Sequence, residues 1–328
     1  MRGSGSGGAK SGEKGGEKGG GNAGGKAAEA RPQDRFGDTL AAAARAILHD
    51  ARTALTDPKL SEAEAVHDLR KAFKRWRALM RLLSRPLGDP ADRIRAEARD
   101  LMRTLSGSRD AQAALDALAD LLRSELPFSA TSMKTIEARL VKLRGDAEAA
   151  SFTPVLRQRV TQYLEYASLT IDRWPLTSIG FGTIADELTI TYRRARRLIP
   201  HNAWLETEAE DLHELRKRVV EHRHQMELIE PLWPKLAKVW GQEAQRLRER
   251  LGACQDLMVF EGFMAPHGPL APWRSKLAPL ITDRREKHLG AAAKLAGRLF
   301  AEKPKAFRTR IGALWDARHD EIDRDPPA

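Results

Sequence analysis

The chain contains a single cysteine, Cys254. One thiol cannot close an internal disulfide, and it excludes a zinc site built from several thiolates, so a reducing compartment is expected. Long apolar runs are missing as well. No stretch approaches the ~20 residues needed to cross a bilayer, and the amino terminus lacks the apolar core of a secretory signal. The expectation is cytoplasmic residence with no membrane span. Aromatics make up only 6% of the chain, and its seven tryptophans are expected to fill a core rather than stack on bases. There is no Gly-x-x-x-x-Gly-Lys-Ser/Thr loop, no Gly-x-Ser-x-Gly elbow and no His-Glu-x-x-His pair. What the chain does have is positive charge. Lys and Arg number 56 against 45 acids, a formal net charge of +11 over 328 residues. That balance favours a polyanionic partner: nucleic acid, an anionic membrane or a phosphate polymer.

Residues 1–32 are dominated by Gly, Ser, Lys and Glu. They can bury no core, so a disordered tail is expected there, with a second flexible tail over 320–328. Between them, apolar residues recur at spacings of three and four, and alternating runs are scarce. The fold class expected is all-α. Breakers at Pro86–Pro90, Gly107, Pro127, Gly145, Trp174–Pro175, Gly180–Gly182, Pro200, Pro231–Pro234, Pro266–Pro272 and Pro304 divide 33–319 into roughly eight to twelve helices.

An internal repeat organises these helices. Ser61-Glu-Ala-Glu-Ala-Val-His-Asp-Leu-Arg-Lys71 aligns with Thr207-Glu-Ala-Glu-Asp-Leu-His-Glu-Leu-Arg-Lys217 at an offset of 146, with seven of eleven positions identical. The register continues without a gap, pairing Met80 with Met226, Leu105 with Leu251 and Asp110 with Asp256. A period this long indicates a duplicated domain rather than a solenoid. Two antiparallel four-helix bundles related by a pseudo-two-fold axis are expected, with halves at about 33–175 and 176–319. Ser61 with Glu64, and Thr207 with Glu210, have capping-box spacing, which puts both histidines near the end of the second helical turn.

On a wheel of ~100° per residue, His67, Arg70, Lys71, Lys74, Arg77, Arg81 and Arg85 form one stripe opposite Val66, Leu69, Phe73, Trp76, Met80 and Leu83. A solvated helix face usually mixes signs. This one holds cations with Asp68 as its sole acid, and like charges four apart cost a few tenths of a kcal/mol per pair. An anion would offset that repulsion. The second copy repeats His213, Arg216, Lys217, Arg223 and His224, but Val220 replaces Lys74 and Glu227 replaces Arg81. Arg193, Arg194, Arg196 and Arg197 on the preceding helix are expected to make up the charge. Two histidines at equivalent positions beside Arg and Lys fit phosphate contact better than a structural role, and the flanking arginines argue against a metal. Arg109-Asp110 and Gln255-Asp256 are expected to start helices in equivalent places. Arg284, Arg285, Lys287 and His288 read as a solvated face.

These residues resemble the CHAD domain family, named for its conserved histidines and α-helices. The resemblance lies in His67-x-x-Arg70-Lys71 with Lys74, Arg75 and Arg77, and in His213-x-x-Arg216-Lys217. It extends to Leu105-Ser-Gly-Ser-Arg-Asp110 and Leu251-Gly-Ala-Cys-Gln-Asp256, which are similar to a Leu-Gly-x-x-Arg-Asp signature, and to Tyr192-Arg-Arg-Ala-Arg-Arg197. Gln255 departs from the signature arginine. The resemblance implies a basic groove or pore that binds inorganic polyphosphate through His67, Arg70, Lys71, Lys74, Arg75, Arg77, Arg81, Arg193, Arg194, Arg196, Arg197, His213, Arg216, Lys217 and Arg223. It implies a targeting or scaffolding module with neither catalysis nor cofactor, on polyphosphate-containing granules among other destinations. Nucleic-acid binding by the same surface, or polyphosphate processing, are the alternatives.

Overall fold

The computed structural model describes residues 36–105, 109–123, 128–149, 152–202 and 204–324, excluding the side chains of 147–149 and 319–324. The expected tail at 1–32, residues 325–328 of the tail expected at 320–328, and Ser106-Gly-Ser108 of the first signature lie outside the described residues, whereas 320–324 continue the last helix. Eleven α-helices account for nearly all of what is described, with no β-strand among these residues. They are α1 (Gly37–Thr56), α2 (Glu62–Leu87), α3 (Asp89–Thr104), α4 (Arg109–Leu121), α5 (Ala130–Ala149), α6 (Pro154–Arg173), α7 (Phe181–Arg197), α8 (Ala209–Leu228), α9 (Pro234–Gly262), α10 (Arg274–Leu299) and α11 (Pro304–Arg324).

Local chemistry explains most boundaries. Ser61 accepts a hydrogen bond from the Glu64 backbone N–H at 3.3 Å, and the Ser61 N–H donates to Glu64 Oε2 at 2.9 Å, so the first capping box forms. The second helix starts later than the spacing suggests, with Glu208 rather than Thr207 at the N-cap. Gly145 and Pro279 do not interrupt α5 and α10. The equivalence of Arg109 and Gln255 also fails at this level. Arg109 opens α4, whereas Gln255 and Asp256 lie inside the continuous α9. Leu251-Gly-Ala-Cys-Gln-Asp256 holds no proline, and its one glycine is tolerated within a packed helix at about 1 kcal/mol.

Two apolar cores hold the helices together. The larger contains Leu40, Leu69, Phe73, Trp76, Leu83, Tyr163, Ile184, Tyr192, Leu215, Leu247, Ala292 and Phe307. The smaller joins Leu118, Leu121, Ile136 and Leu140 of α4 and α5 to Leu257, Phe260, Leu277 and Ile281 of α9 and α10. The α4–α5 pair therefore packs on helices of the second repeat. Arg284 fixes it there by donating to Asp120 Oδ2 at 2.8 Å, and His288 Nε2 lies 2.8 Å from the same oxygen. Burial opposes the Asp120 carboxylate, but the bonds from Arg284 and His288 bring it below its ordinary value. Arg250 Nη1 lies 3.2 Å from His288 Nδ1. An arginine can only donate, which assigns the imidazole proton to Nε2. The expectation of a solvated face holds at Lys287, which is exposed and paired with Asp283 at 2.7 Å, and is corrected for Arg284 and His288, which brace α10 against α4.

The repeat also shows where its two copies diverge. Trp76 donates to the Tyr163 hydroxyl at 2.6 Å, which donates to the Ile94 carbonyl at 3.0 Å, linking α2, α6 and α3. The equivalent of Trp76 is His222, which is fully buried with neither ring nitrogen hydrogen-bonded. It sits among Tyr192, Trp240, Phe300 and Phe307, with ring centroids 5.3–5.9 Å away. Burial, then the charge of Arg310, pushes its imidazole down to about 3, so it is neutral at physiological pH.

Candidate functional site: a cationic groove at a helix crossing

Helix α2 crosses the C-terminal third of α8 around Ala78 and Gln225. Ala78, Leu79 and Met80 are buried there, and Gln225 of α8 donates to the Ala78 carbonyl at 3.2 Å. Beside the crossing opens a groove of about 1390 Å³, lined from α2, α4, α8 and α9. The α2 wall carries His67, Arg70, Lys71, Lys74 and Arg75, and α4 adds Arg109 and Gln112. Arg216 and Arg223 come from α8, and Gln245 and Arg248 from α9. Five acids share the lining: Glu62, Asp116, Glu227, Glu230 and Asp256.

The cations are not uniformly paired with those acids. Arg75 binds Asp50 of α1 at 2.5 Å, and Arg223 binds Glu227 at 2.9 Å. Lys74 instead faces four guanidiniums. Burial, then Arg70, Arg248, Arg216 and Arg109, pushes its ammonium down to about 8. Arg216 is the most buried cation of the set. Desolvation, reinforced by Arg109 and Arg248, lowers it to about 10. Its Nη1 donates to Gln255 Oε1 at 3.0 Å, while its buried Nε has no partner. Arg70 and Arg248 are likewise lowered, chiefly by desolvation and then by Arg109 and Arg223 respectively.

Gly252 makes room for this arrangement. A Cβ at that position would stand 3.2 Å from Nη2 and 3.3 Å from Nε of Arg216. The helix therefore gives up propensity at Gly252 so that a guanidinium can lie flat against its backbone. His213, whose Nδ1 is 2.9 Å from Gln255 Oε1, shares that carbonyl with Arg216. Burial then lowers the His213 imidazole, with Gln255 acting in the opposite sense.

The structure divides the sequence-predicted site. His67, Arg70, Lys71, Lys74, Arg75, Arg216 and Arg223 line the groove. Arg77 and Arg81 do not, because the crossing at Ala78 covers the middle of the α2 stripe. Beyond it, Arg81 reaches Glu221 of α8 at 3.5 Å, and Arg77 feels Glu221, Arg95, Arg99 and Arg218. Lys217 lies outside the groove, paired with Glu214 at 3.3 Å. His213 stands behind Arg216 through Gln255 rather than in the lining. Arg193, Arg194, Arg196 and Arg197 are exposed at the end of α7 and do not reach the groove; Arg196 donates to the Phe300 carbonyl at 3.1 Å. The charge missing from the second copy comes instead from Arg109 and Arg248. Arg248 was hidden in sequence by its alternation with acids in Glu243–Arg250, and Arg109 by its helix-start position. Arg218 is held between Glu214 and Glu221.

Comparison with known proteins decides the family. The CHAD domain family model matches residues 31–265. The chain is a member of the CHAD domain family. Solved structures agree on the fold. PptA from Streptomyces chartreusis aligns at a TM-score of 0.58 with 18% identity, covering 82% of this chain and all of that one. The crystal structure of the CHAD domain from the plant Ricinus communis aligns at 0.52 with 16% identity, covering 88% and 95% respectively. No curated protein matches the sequence. Among the described residues of this CHAD domain, no cluster of His, Cys, Asp and Glu could hold a metal ion, and no helix is long and apolar enough to cross a membrane.

Proposed function

We propose that this CHAD domain binds inorganic polyphosphate in the groove and does so without catalysis. The observation that carries the reading is the convergence of Arg70, Lys74, Arg109, Arg216 and Arg248 on one another, five cations gathered around the single carboxylate of Asp256. Clustered cations with depressed pKa values are destabilising when empty, and a multiply charged anion removes the repulsion. An open groove of about 1390 Å³, lined from four helices, has room for several phosphate units of a linear polymer. Polyphosphate is the polymer that the family resemblance implies. The two repeats would act as half-domains about a pseudo-two-fold axis through the α2–α8 crossing, each supplying part of the groove. A non-enzymatic domain of this kind would serve as a targeting or scaffolding module in the cytoplasm, including on polyphosphate granules.

Nucleic acid is the competing reading, since phosphate contacts carry no sequence information. Phe73 and Trp76 are buried on the core side of α2, and among the described residues no Phe, Tyr or Trp lines the groove. Single-strand binders usually add stacking to charge, so polyphosphate is favoured. Competition at matched phosphate and salt separates the two. Polyphosphate should displace duplex DNA, and Arg70→Glu with Arg216→Glu should abolish retention on a polyphosphate column. A preference for DNA would reverse the assignment. Phosphate release above a no-protein control would refute the non-catalytic part.

A further inference from the structure

Asp256 is misplaced for a polyanion site. It lies on α9 in the lining of the groove, where the ligand's own charges would run. Arg216 of α8, Arg109 of α4 and Arg248 of α9 act on it attractively, and Asp116 of α4 repels it. Arg70 and Lys74 line the same groove from α2. On the remaining side, α10 directs Arg284 and His288 to Asp120 instead. Among the described residues the Asp256 carboxyl makes no hydrogen bond or ion pair, in contrast to Asp120 with its two donors.

We propose that filling the groove with polyphosphate is coupled to the uptake of one proton by Asp256, which makes affinity rise as pH falls. The inference rests on the polyphosphate reading above. A phosphate chain laid along Arg70, Arg216 and Arg248 brings several negative charges beside the carboxylate. A like charge at such range favours the neutral acid, so a proton from solvent binds the carboxylate oxygen as the ligand enters. Even in the empty groove, burial holds this carboxyl up at about 6. Ligand and proton then promote one another by reciprocal linkage. Lys74 is a second coupled group, but its ammonium near 8 places its window higher. His67 of α2 and His224 of α8 line the same groove and can gain protons beside phosphate, so the share of Asp256 is the difference between wild type and Asp256→Asn.

The magnitude follows from the fraction of Asp256 that is neutral before binding. At pH 7.5 that fraction is about one in thirty, and at pH 5.5 it is most of the population. Asp256→Asn mimics the neutral form at every pH. It should therefore bind polyphosphate about thirtyfold more tightly than wild type at pH 7.5, and within about twofold at pH 5.5. Titration of polyphosphate's own end groups cancels, because the same chains are used for both proteins.

Calorimetry on the full chain tests this with polyphosphate at pH 7, in two buffers of different ionisation enthalpy. Wild type should take up close to one proton more per groove filled than Asp256→Asn. Binding by wild type without proton uptake would overturn the coupling, whether or not the variant folds. So would an Asp256→Asn protein that folds but binds more weakly at pH 7.5. Absence of binding by wild type at every pH would instead refute the polyphosphate reading itself.

Discussion

Replacing Arg216 by methionine should make the protein more stable and a worse ligand binder at once. The guanidinium is lowered from 12.5 to about 10, chiefly by desolvation, and 2.5 pH units correspond to about 3 kcal/mol spent keeping the charge in the folded state. Against this stands the loss of its hydrogen bond to Gln255 Oε1, about 1–2 kcal/mol. That carbonyl is not orphaned, because His213 Nδ1 remains 2.9 Å away. Methionine fills much of the same volume and carries no donor, so the unpartnered Nε disappears as well. The net gain should be about 1–2 kcal/mol. Urea denaturation should show it as a raised midpoint at unchanged slope. Polyphosphate affinity should meanwhile fall at least tenfold, since a buried charge-assisted contact contributes about 1.5–3 kcal/mol. A variant that is less stable and binds normally would refute the reasoning, because it would make Arg216 a structural residue.

Three other perturbations test separate parts of the structure. Gly252→Ala should hold or raise the melting temperature through helix propensity, about 1 kcal/mol, yet weaken polyphosphate binding, because the new Cβ meets the Arg216 guanidinium at 3.2 Å; parallel melting and binding curves check it. His222→Phe should change acid stability. A histidine depressed to about 3 in the fold contributes stability that is complete above the unfolded value near 6.5 and is lost as pH falls toward 3, about 2 kcal/mol by pH 5. Wild-type and variant denaturation curves should diverge below pH 6.5, and parallel curves would contradict the assignment. Tyr163→Phe should cost about 1–3 kcal/mol by leaving the buried Trp76 Nε1–H without an acceptor, measured by the same denaturation.

Much of this was legible in the sequence because it rests on short-range periodicity. The all-α class, the repeat and the Ser61 box follow from spacings of three, four and 146 residues. The upper half of the α2 stripe, His67 to Lys74, was legible for the same reason. What the wheel cannot show is another helix lying across the stripe. The crossing at Ala78 sends Arg77 and Arg81 to the far side, where Glu221 meets Arg81. Arg109 and Arg248 were invisible for a related reason: their role comes from tertiary placement of α4 and α9 against α2, not from any pattern on their own helices. The sequence equivalence of Arg109 and Gln255 likewise concealed different surroundings. One opens a helix, and the other sits mid-helix holding Arg216 and His213.

The most direct test of the central claim is the salt dependence of polyphosphate affinity for wild type and for Arg70→Glu with Arg216→Glu. Five converging cations should give a log–log slope near −3.5 in wild type, at about 0.7 counterions released per contact for a single-stranded polyanion. The double variant should lose binding at moderate salt and show a much shallower slope. A wild-type affinity that is flat with salt, or a double variant that binds as wild type does, would contradict the account.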